Sequence, residues 1–147
     1  MGEGKTLMRW WIPLLIVLAG CAAPRSTPDA PPSAMASPLV GPQWTLVLIG
    51  TDERWQGERP AHFTLSPDGS VLRLVGSDGC NRLMGKVILG EGRRIEVSDL
   101  ATTRMACEQA QAAQVGAMLR QAYRYLIDHD RLVLLGRDRR ILGGFQR

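Results

Sequence analysis

The chain has 147 residues and a formal net charge of +4, from 18 Lys and Arg against 14 Asp and Glu. This length fits one domain, and the hydrophobic and charged fractions of 45% and 22% exclude collagen-like, coiled-coil and wholly disordered chains. The three cysteines are an odd number, so at least one of them does not pair within the chain.

Residues 1–20 predict a signal peptide. Lys5 and Arg9 form a basic start, and the apolar run at 10–19 is about half as long as a helix that spans a bilayer. The sequence Leu-Ala-Gly-Cys at 18–21 resembles the lipobox of bacterial lipoproteins, which are cleaved before the cysteine and acylated on it. Cys21 is therefore the predicted lipidation site, carrying fatty acyl chains such as palmitate.

The residues that follow Cys21 predict the location of the domain and its distance from the membrane. By resemblance to the sorting rules of bacterial lipoproteins, Ala22 in place of an Asp favours the outer membrane of the cell envelope, facing the periplasm, over retention in the inner membrane. Residues 21–42 are rich in Pro, Ala and Ser without apolar periodicity, which predicts a disordered tether.

Residues 43–147 predict one folded domain. Most of its apolar residues alternate with the two-residue period of a strand, but at residues 107–122 their spacing becomes that of a helix. Ala112, Val115 and Leu119 share one apolar face of this helix with Ala122. Gly116 lies within this helix and is expected to let it approach a sheet closely. Eight short strands are predicted at 44–49, 62–65, 71–75, 84–89, 94–97, 123–127, 131–135 and 141–145. We expect an α+β fold: a curved, half-barrel-like antiparallel β-sheet wrapped around a single α-helix.

Two sequence elements, at 76–82 and 100–107, resemble those of the META domain family, which includes the HslJ-type heat-shock lipoproteins. The family pattern is a first strand led by tryptophan, a G-x-x-x-C-N element and a T-x-M-x-C element. The matching residues are Trp44, then Gly76, Cys80 and Asn81, then Thr103, Met105 and Cys107. The resemblance covers about residues 43–146. It implies a sheet wrapped around a helix, an envelope location and a role in heat shock and antibiotic tolerance.

Cys80 and Cys107 are predicted to form a structural disulfide in the oxidising compartment that the signal peptide implies. The closed loop of about 28 residues would stabilise the fold by about 3.6 kcal/mol. The alternative is a redox-active Cys107 at the start of the helix. Two thiols and two scattered histidines lack the spacing of zinc ligands, so no metal is predicted.

The remaining motif residues have a structural and a functional interpretation. Asn81 is expected to satisfy backbone groups in a Gly-rich turn, and Thr103 to cap the helix. Alternatively, Arg104 and the helix N-terminus form an anion or partner site, so that Asn81, Thr103, Arg104 and Met105 mark a possible partner surface.

Other polar residues are interpreted as solvated. They are His129 in an Asp-His-Asp turn, the loop carboxylates Glu53 and Glu58, and the basic turn at 137–140. The sequence contains no G-x-S-x-G element, P-loop or dinucleotide fingerprint, so neither an enzyme nor a cofactor is predicted.

The sequence therefore predicts a non-enzymatic, lipid-anchored envelope protein that supports stress or antibiotic tolerance by binding a protein or lipid partner. One alternative, by analogy with secretion pilot lipoproteins, is a module that binds an apolar ligand or lipopeptide; another is a thiol redox enzyme that uses Cys107. We expect a monomer. Removal of the signal peptide leaves a net charge of only +3, which argues against a nucleic-acid partner.

Overall fold

The computed structural model describes residues 36–147. The predicted signal peptide, Cys21 and most of the predicted tether lie outside the described residues. Among residues 36–147, no helix has both the length and the apolar character needed to cross a bilayer.

The described chain forms nine strands and one α-helix. The strands are β1 (Gln43–Ile49), β2 (Glu53–Arg54), β3 (Ala61–Asp68), β4 (Val71–Asp78), β5 (Arg82–Gly90), β6 (Arg94–Thr102), β7 (Arg124–Asp128), β8 (Arg131–Leu135) and β9 (Ile141–Gln146). The helix α1 spans Ala112–Gln121, and a 3-10 turn at Glu91–Arg93 joins β5 to β6. All eight predicted strands are present; the two-residue β2 is additional.

The nine strands form one antiparallel sheet that curves into a ring. Its order is β2-β1-β3-β4-β5-β6-β7-β8-β9, and an additional pairing of β1 with β9 closes the ring. Trp44 of β1 pairs with Phe63 of β3, whereas Leu46 pairs with Phe145 of β9. The β6–β7 seam is the narrowest junction, with a single residue pair between Arg94 and Arg124. The predicted curved antiparallel sheet with one helix is confirmed.

Alternation of side chains along the strands builds the core. In β4, Leu72 and Leu74 are buried while Arg73 and Val75 face outward, as the two-residue period of a strand requires. The turn between β3 and β4 consists of Gly69 and Ser70, and Gly69 adopts the positive φ of 64° that glycine tolerates.

Large side chains fill the interior of the ring. Trp44, Phe63 and Phe145 are fully buried, and the two phenylalanine rings meet edge to face with their centres 5.2 Å apart. The helix α1 contacts β6, β4 and β9, and buries Val115 and Leu119 in the same core.

The helix begins at Ala112, not at Cys107 as predicted. Tertiary bonds hold the five preceding residues out of the helix. Cys107 forms a disulfide with Cys80, and the side-chain Nε2 of Gln111 donates to Glu53 Oε1 at 2.7 Å and to the Arg54 carbonyl. The predicted apolar face is correct, because Ala112, Val115, Leu119 and Ala122 are all buried.

The folded region begins before residue 43, so the end of the predicted tether at residue 42 is wrong. Leu39 is 0% exposed, and its carbonyl accepts a hydrogen bond from Trp44 Nε1 at 3.1 Å. Ser37 Oγ lies 3.1 Å from the hydroxyl of Tyr125. Two apolar residues of this Pro-rich stretch therefore contribute to the core: Leu39 is part of it, and Val40 packs against it.

Candidate functional site

The first motif lies in the tight turn between β4 and β5. Asp78 is 4% exposed, and its Oδ1 accepts hydrogen bonds from the backbone amides of Cys80, at 2.9 Å, and Asn81. Gly79 has a φ of 90°, which a residue with a side chain rarely adopts. Asp78 therefore satisfies the backbone of this turn, a role that sequence reasoning assigned to Asn81.

Asn81 instead holds the second motif against the first. Its Oδ1 accepts hydrogen bonds from the Met105 amide at 2.6 Å and from the Thr103 hydroxyl at 3.4 Å. Thr103 Oγ1 in turn accepts the Arg82 amide at 2.9 Å, and the Thr103 amide donates to the Arg82 carbonyl. Thr103 lies nine residues before α1, so the predicted helix cap is wrong.

Cys80 and Cys107 are joined in a disulfide with their Cα atoms 6.0 Å apart. Cys80 is buried, whereas Cys107 is exposed. Because Cys107 lies five residues before α1, it does not occupy the helix N-terminus that would activate a thiolate. The alternative of a redox-active thiol at the start of the helix loses its structural basis.

The disulfide and Asn81 together position an irregular, exposed segment, residues 103–107, which we call the motif surface. Met105 is 57% exposed, and Arg104 is also exposed. Arg104 lines the same shallow groove as Ala112 at the start of α1. Segments without helix or strand are normally mobile, but this one is fixed at both ends.

Gly76 of the first motif has a steric role. The strand β3 passes so close that a Cβ atom on Gly76 would overlap the His62 carbonyl oxygen and lie 2.9 Å from Phe63 Cα. Trp55 covers the neighbouring turn: a Cβ on Gly79 would strike its ring, and its indole N–H donates to the Arg59 carbonyl at 3.0 Å. The two glycines therefore allow close approach of backbone and aromatic groups.

The other candidate residues do not assemble into a site. His129 is exposed at a turn, where its Nδ1 lies 2.7 Å from Asp128 Oδ1. Glu53 accepts a hydrogen bond from the side chain of Gln111, and Glu58 is exposed between β2 and β3. Within residues 36–147, no group of three or more His, Cys, Asp and Glu residues has the geometry to hold a metal.

Sequence reasoning missed two buried polar residues, Asp78 and Gln111. Asp78 had a readable signal, because an Asp followed by Gly forms turns in which its carboxylate accepts backbone amides. Gln111 had none: three of the four partners of its side chain lie 55 to 58 residues earlier in the chain, and the fourth is Gln109.

The comparisons with known proteins agree with this architecture. The META domain model matches residues 37–147, so the chain belongs to the META domain family. No curated protein matches the sequence significantly.

Two solved structures share the fold. A protein from Burkholderia xenovorans, solved by NMR, is 25% identical, with a TM-score of 0.60 over 85% of this chain and 96% of that chain. A DUF4847 family protein from Bacteroides vulgatus is 15% identical, with a TM-score of 0.55 over 74% of this chain and 93% of that chain.

Proposed function

We propose that this chain is a lipid-anchored protein of the bacterial envelope whose META domain is a non-enzymatic binding module for a protein partner. The observation that carries the proposal is the Cys80–Cys107 disulfide, which fixes the motif surface. A structural disulfide fits an oxidising compartment. The lipobox-like sequence at 18–21 supports the same compartment independently.

The motif surface has properties of a recognition segment. Met105 is an exposed, adaptable apolar side chain, flanked by the exposed Arg104, and methionine and arginine are enriched at protein interfaces. Asn81 and the disulfide hold the segment in place before a partner arrives, which reduces the entropy lost on binding. A role in envelope stress or antibiotic tolerance would follow from the partner.

An apolar ligand inside the fold is a weaker candidate. Trp44, Phe63 and Phe145 occupy the interior of the ring, and an acyl chain would have to displace them. The depressions at the motif surface and beside α1 carry polar and charged side chains, including Arg104 and Arg120.

Two measurements test the proposal in the full chain. Metabolic labelling with a palmitate analogue should label the wild type and not the Cys21→Ser variant. A photo-crosslinking amino acid at Met105 should then give a discrete protein adduct in cells. The matched control is the same amino acid at Leu126, an outward side chain of β7 that is 46% exposed.

Each result has a clear meaning. Equal labelling of the Cys21→Ser variant would refute the lipid anchor. Identical adducts from positions 105 and 126 would refute the motif surface as the binding site, because a specific partner contacts only one of these two faces. Loss of the position-105 adduct in the Cys21→Ser variant would support a partner at the membrane.

A further inference from the structure

A second surface lies on the seam side of the molecule, where β6 and β7 share one residue pair. A groove of about 730 Å³ is lined there by the start of β6, the end of α1 and the turn between β8 and β9. Four arginines line it: Arg94, Arg120, Arg137 and Arg140. We call these four residues and Tyr123 the arginine groove. The sequence alone indicates only one part of this groove, the basic turn at 137–140.

Tyr123 organises two of the arginines. The guanidinium carbons of Arg94 and Arg137 lie 4.9 Å and 4.7 Å from the centre of its ring. Cation–π attraction holds both side chains in place. The two positive charges are therefore within about 10 Å of each other, roughly one Debye length at 0.1 M salt.

The positive charge of the groove is only partly neutralised. Of the four ion pairs within residues 36–147, none includes Arg94, Arg120 or Arg137. Arg140 pairs with Asp138 at 3.3 Å, and Glu96 is the other acidic residue of the lining. Four arginines against two carboxylates leave a surplus of two positive charges, which attracts an anion.

We propose that the arginine groove binds a phosphomonoester group, carried either by a small phosphorylated compound or by a lipid headgroup. A phosphomonoester has a charge of about −1.5 to −2 at pH 7, which matches this surplus, whereas a carboxylate or phosphodiester has only −1. Guanidinium groups bind phosphate oxygens through paired N–H donors. Tyr123 lines the same groove. This site does not depend on the lipid anchor or on the motif surface.

Arginine footprinting tests the groove in the full chain. The protein in non-ionic detergent is treated with phenylglyoxal, and the modification rate of each arginine is measured by mass spectrometry. Glycerol 3-phosphate is added in one arm, with sulfate as the control at equal ionic strength. In the lipid arm, phosphatidylcholine nanodiscs contain phosphatidic acid, a phosphomonoester, or phosphatidylglycerol, a phosphodiester.

We expect modification of Arg94 and Arg137 to slow about threefold when the ligand is at twice its dissociation constant. Arg82 begins β5 and Arg131 begins β8, so each lies at the end of its strand that is far from the groove. Their modification rates should not change. Protection by glycerol 3-phosphate identifies a small phosphorylated compound, and protection by phosphatidic acid alone identifies a lipid headgroup. Absence of protection in both arms, equal protection by sulfate or phosphatidylglycerol, or equal protection of Arg82 and Arg131 would overturn the proposal.

Charge-matched variants provide the second readout. The Arg94→Gln/Arg137→Gln variant should bind the protecting ligand about tenfold or more weakly, because two charge-assisted contacts are lost. Arg82→Gln/Arg131→Gln removes the same charge elsewhere and should retain the affinity. Equal weakening of both variants would indicate general attraction to the protein charge and overturn the site. If the first double variant fails to fold, Arg137→Gln alone, at an exposed turn, makes the same comparison with Arg131→Gln.

Discussion

In the first motif, a carboxylate oxygen of Asp78 and the side-chain amide oxygen of Asn81 accept hydrogen bonds from different parts of the chain. Asp78 Oδ1 serves the backbone of its own turn, and Asn81 Oδ1 serves a segment 24 residues away. At the residue scale, the motif is therefore a joint between two parts of the chain. Each oxygen accepts two hydrogen bonds, so the loss of one side chain leaves two donors to be satisfied by water.

Asn81→Ala should lower the free energy of unfolding by about 1 to 2 kcal/mol, because the Met105 amide and the Thr103 hydroxyl lose their acceptor. Asn81→Asp keeps an oxygen at the same place and should retain most of the stability. Chemical denaturation of the two variants and the wild type measures the difference. Equal losses in both variants would show that the amide group, and not the accepting oxygen, is needed.

Asp130 provides a prediction that depends on pH. Its pKa is lowered from the ordinary value of 3.8, first by the hydrogen bond from Gln146 Nε2 at 2.9 Å and then by its own backbone amide. A carboxyl group with a lowered folded-state pKa stabilises the fold above its unfolded pKa, and this contribution disappears as the pH falls through the folded-state pKa.

The Gln146→Ala variant should therefore be less stable than the wild type near neutral pH, and the difference should vanish in strong acid. An NMR titration should find the pKa of Asp130 shifted upward in the variant. A stability difference that persists unchanged at low pH would contradict the role of this hydrogen bond.

At the element scale, two glycines have different roles: Gly116 lies in the helix α1, and Gly76 lies in the strand β4. The expectation that Gly116 lets α1 approach the sheet is wrong, since the nearest atom to a Cβ there is Arg120 Nη1, at 3.2 Å, which belongs to a long, exposed side chain. Gly76, in contrast, faces the backbone of β3.

Gly116→Ala should raise the unfolding free energy by up to about 1 kcal/mol, because alanine has the better helix propensity and Arg120 can move. Gly76→Ala should lower it by about 3 kcal/mol, because the β3 backbone must shift. Thermal unfolding of the two variants measures both effects. Destabilisation by Gly116→Ala would show that the end of Arg120 is held rigidly.

The elements were predictable from local pattern, and the errors lie where long-range bonds decide. Strand alternation and the apolar face of α1 were both visible in the sequence. The start of the helix was not, because Cys107 and Gln111 are held by partners 27 and 58 residues away. The sequence does not predict the burial of Leu39, because a single leucine does not produce a periodic pattern.

On the scale of the whole molecule, the site was predictable as a set of motifs but not as a geometry. Resemblance placed Asn81, Thr103 and Met105 in one family pattern, and the structure brings them into one hydrogen-bonded cluster. The arginine groove could not be predicted, because Arg94, Arg120 and Arg137 come from three separate elements: β6, α1 and the turn between β8 and β9.

The disulfide joins the turn between β4 and β5 to the segment between β6 and α1. Its reduction should lower the free energy of unfolding by about 3 to 4 kcal/mol, through the freedom that the unfolded chain regains in a loop of about 28 residues. Denaturation of the wild type with and without reductant measures the effect. A Cys80→Ser/Cys107→Ser variant is the control and should not respond to reductant. An unchanged midpoint of the wild type on full reduction would contradict the prediction.

The pairing of β1 with β9 has a consequence for how the domain is made. Thr45 lies opposite Gln146, so the earliest and latest strands of the domain are neighbours. When the chain emerges from a ribosome or a translocation channel, its N-terminal side comes first. Of its two long partner strands, β1 can then pair with β3 early but with β9 only at the end. Closing so distant a contact is slow. The pairing of β9 with β1 thus completes the ring last. Shortening β9 should leave the sheet open, with the edge of β1 exposed and prone to aggregation.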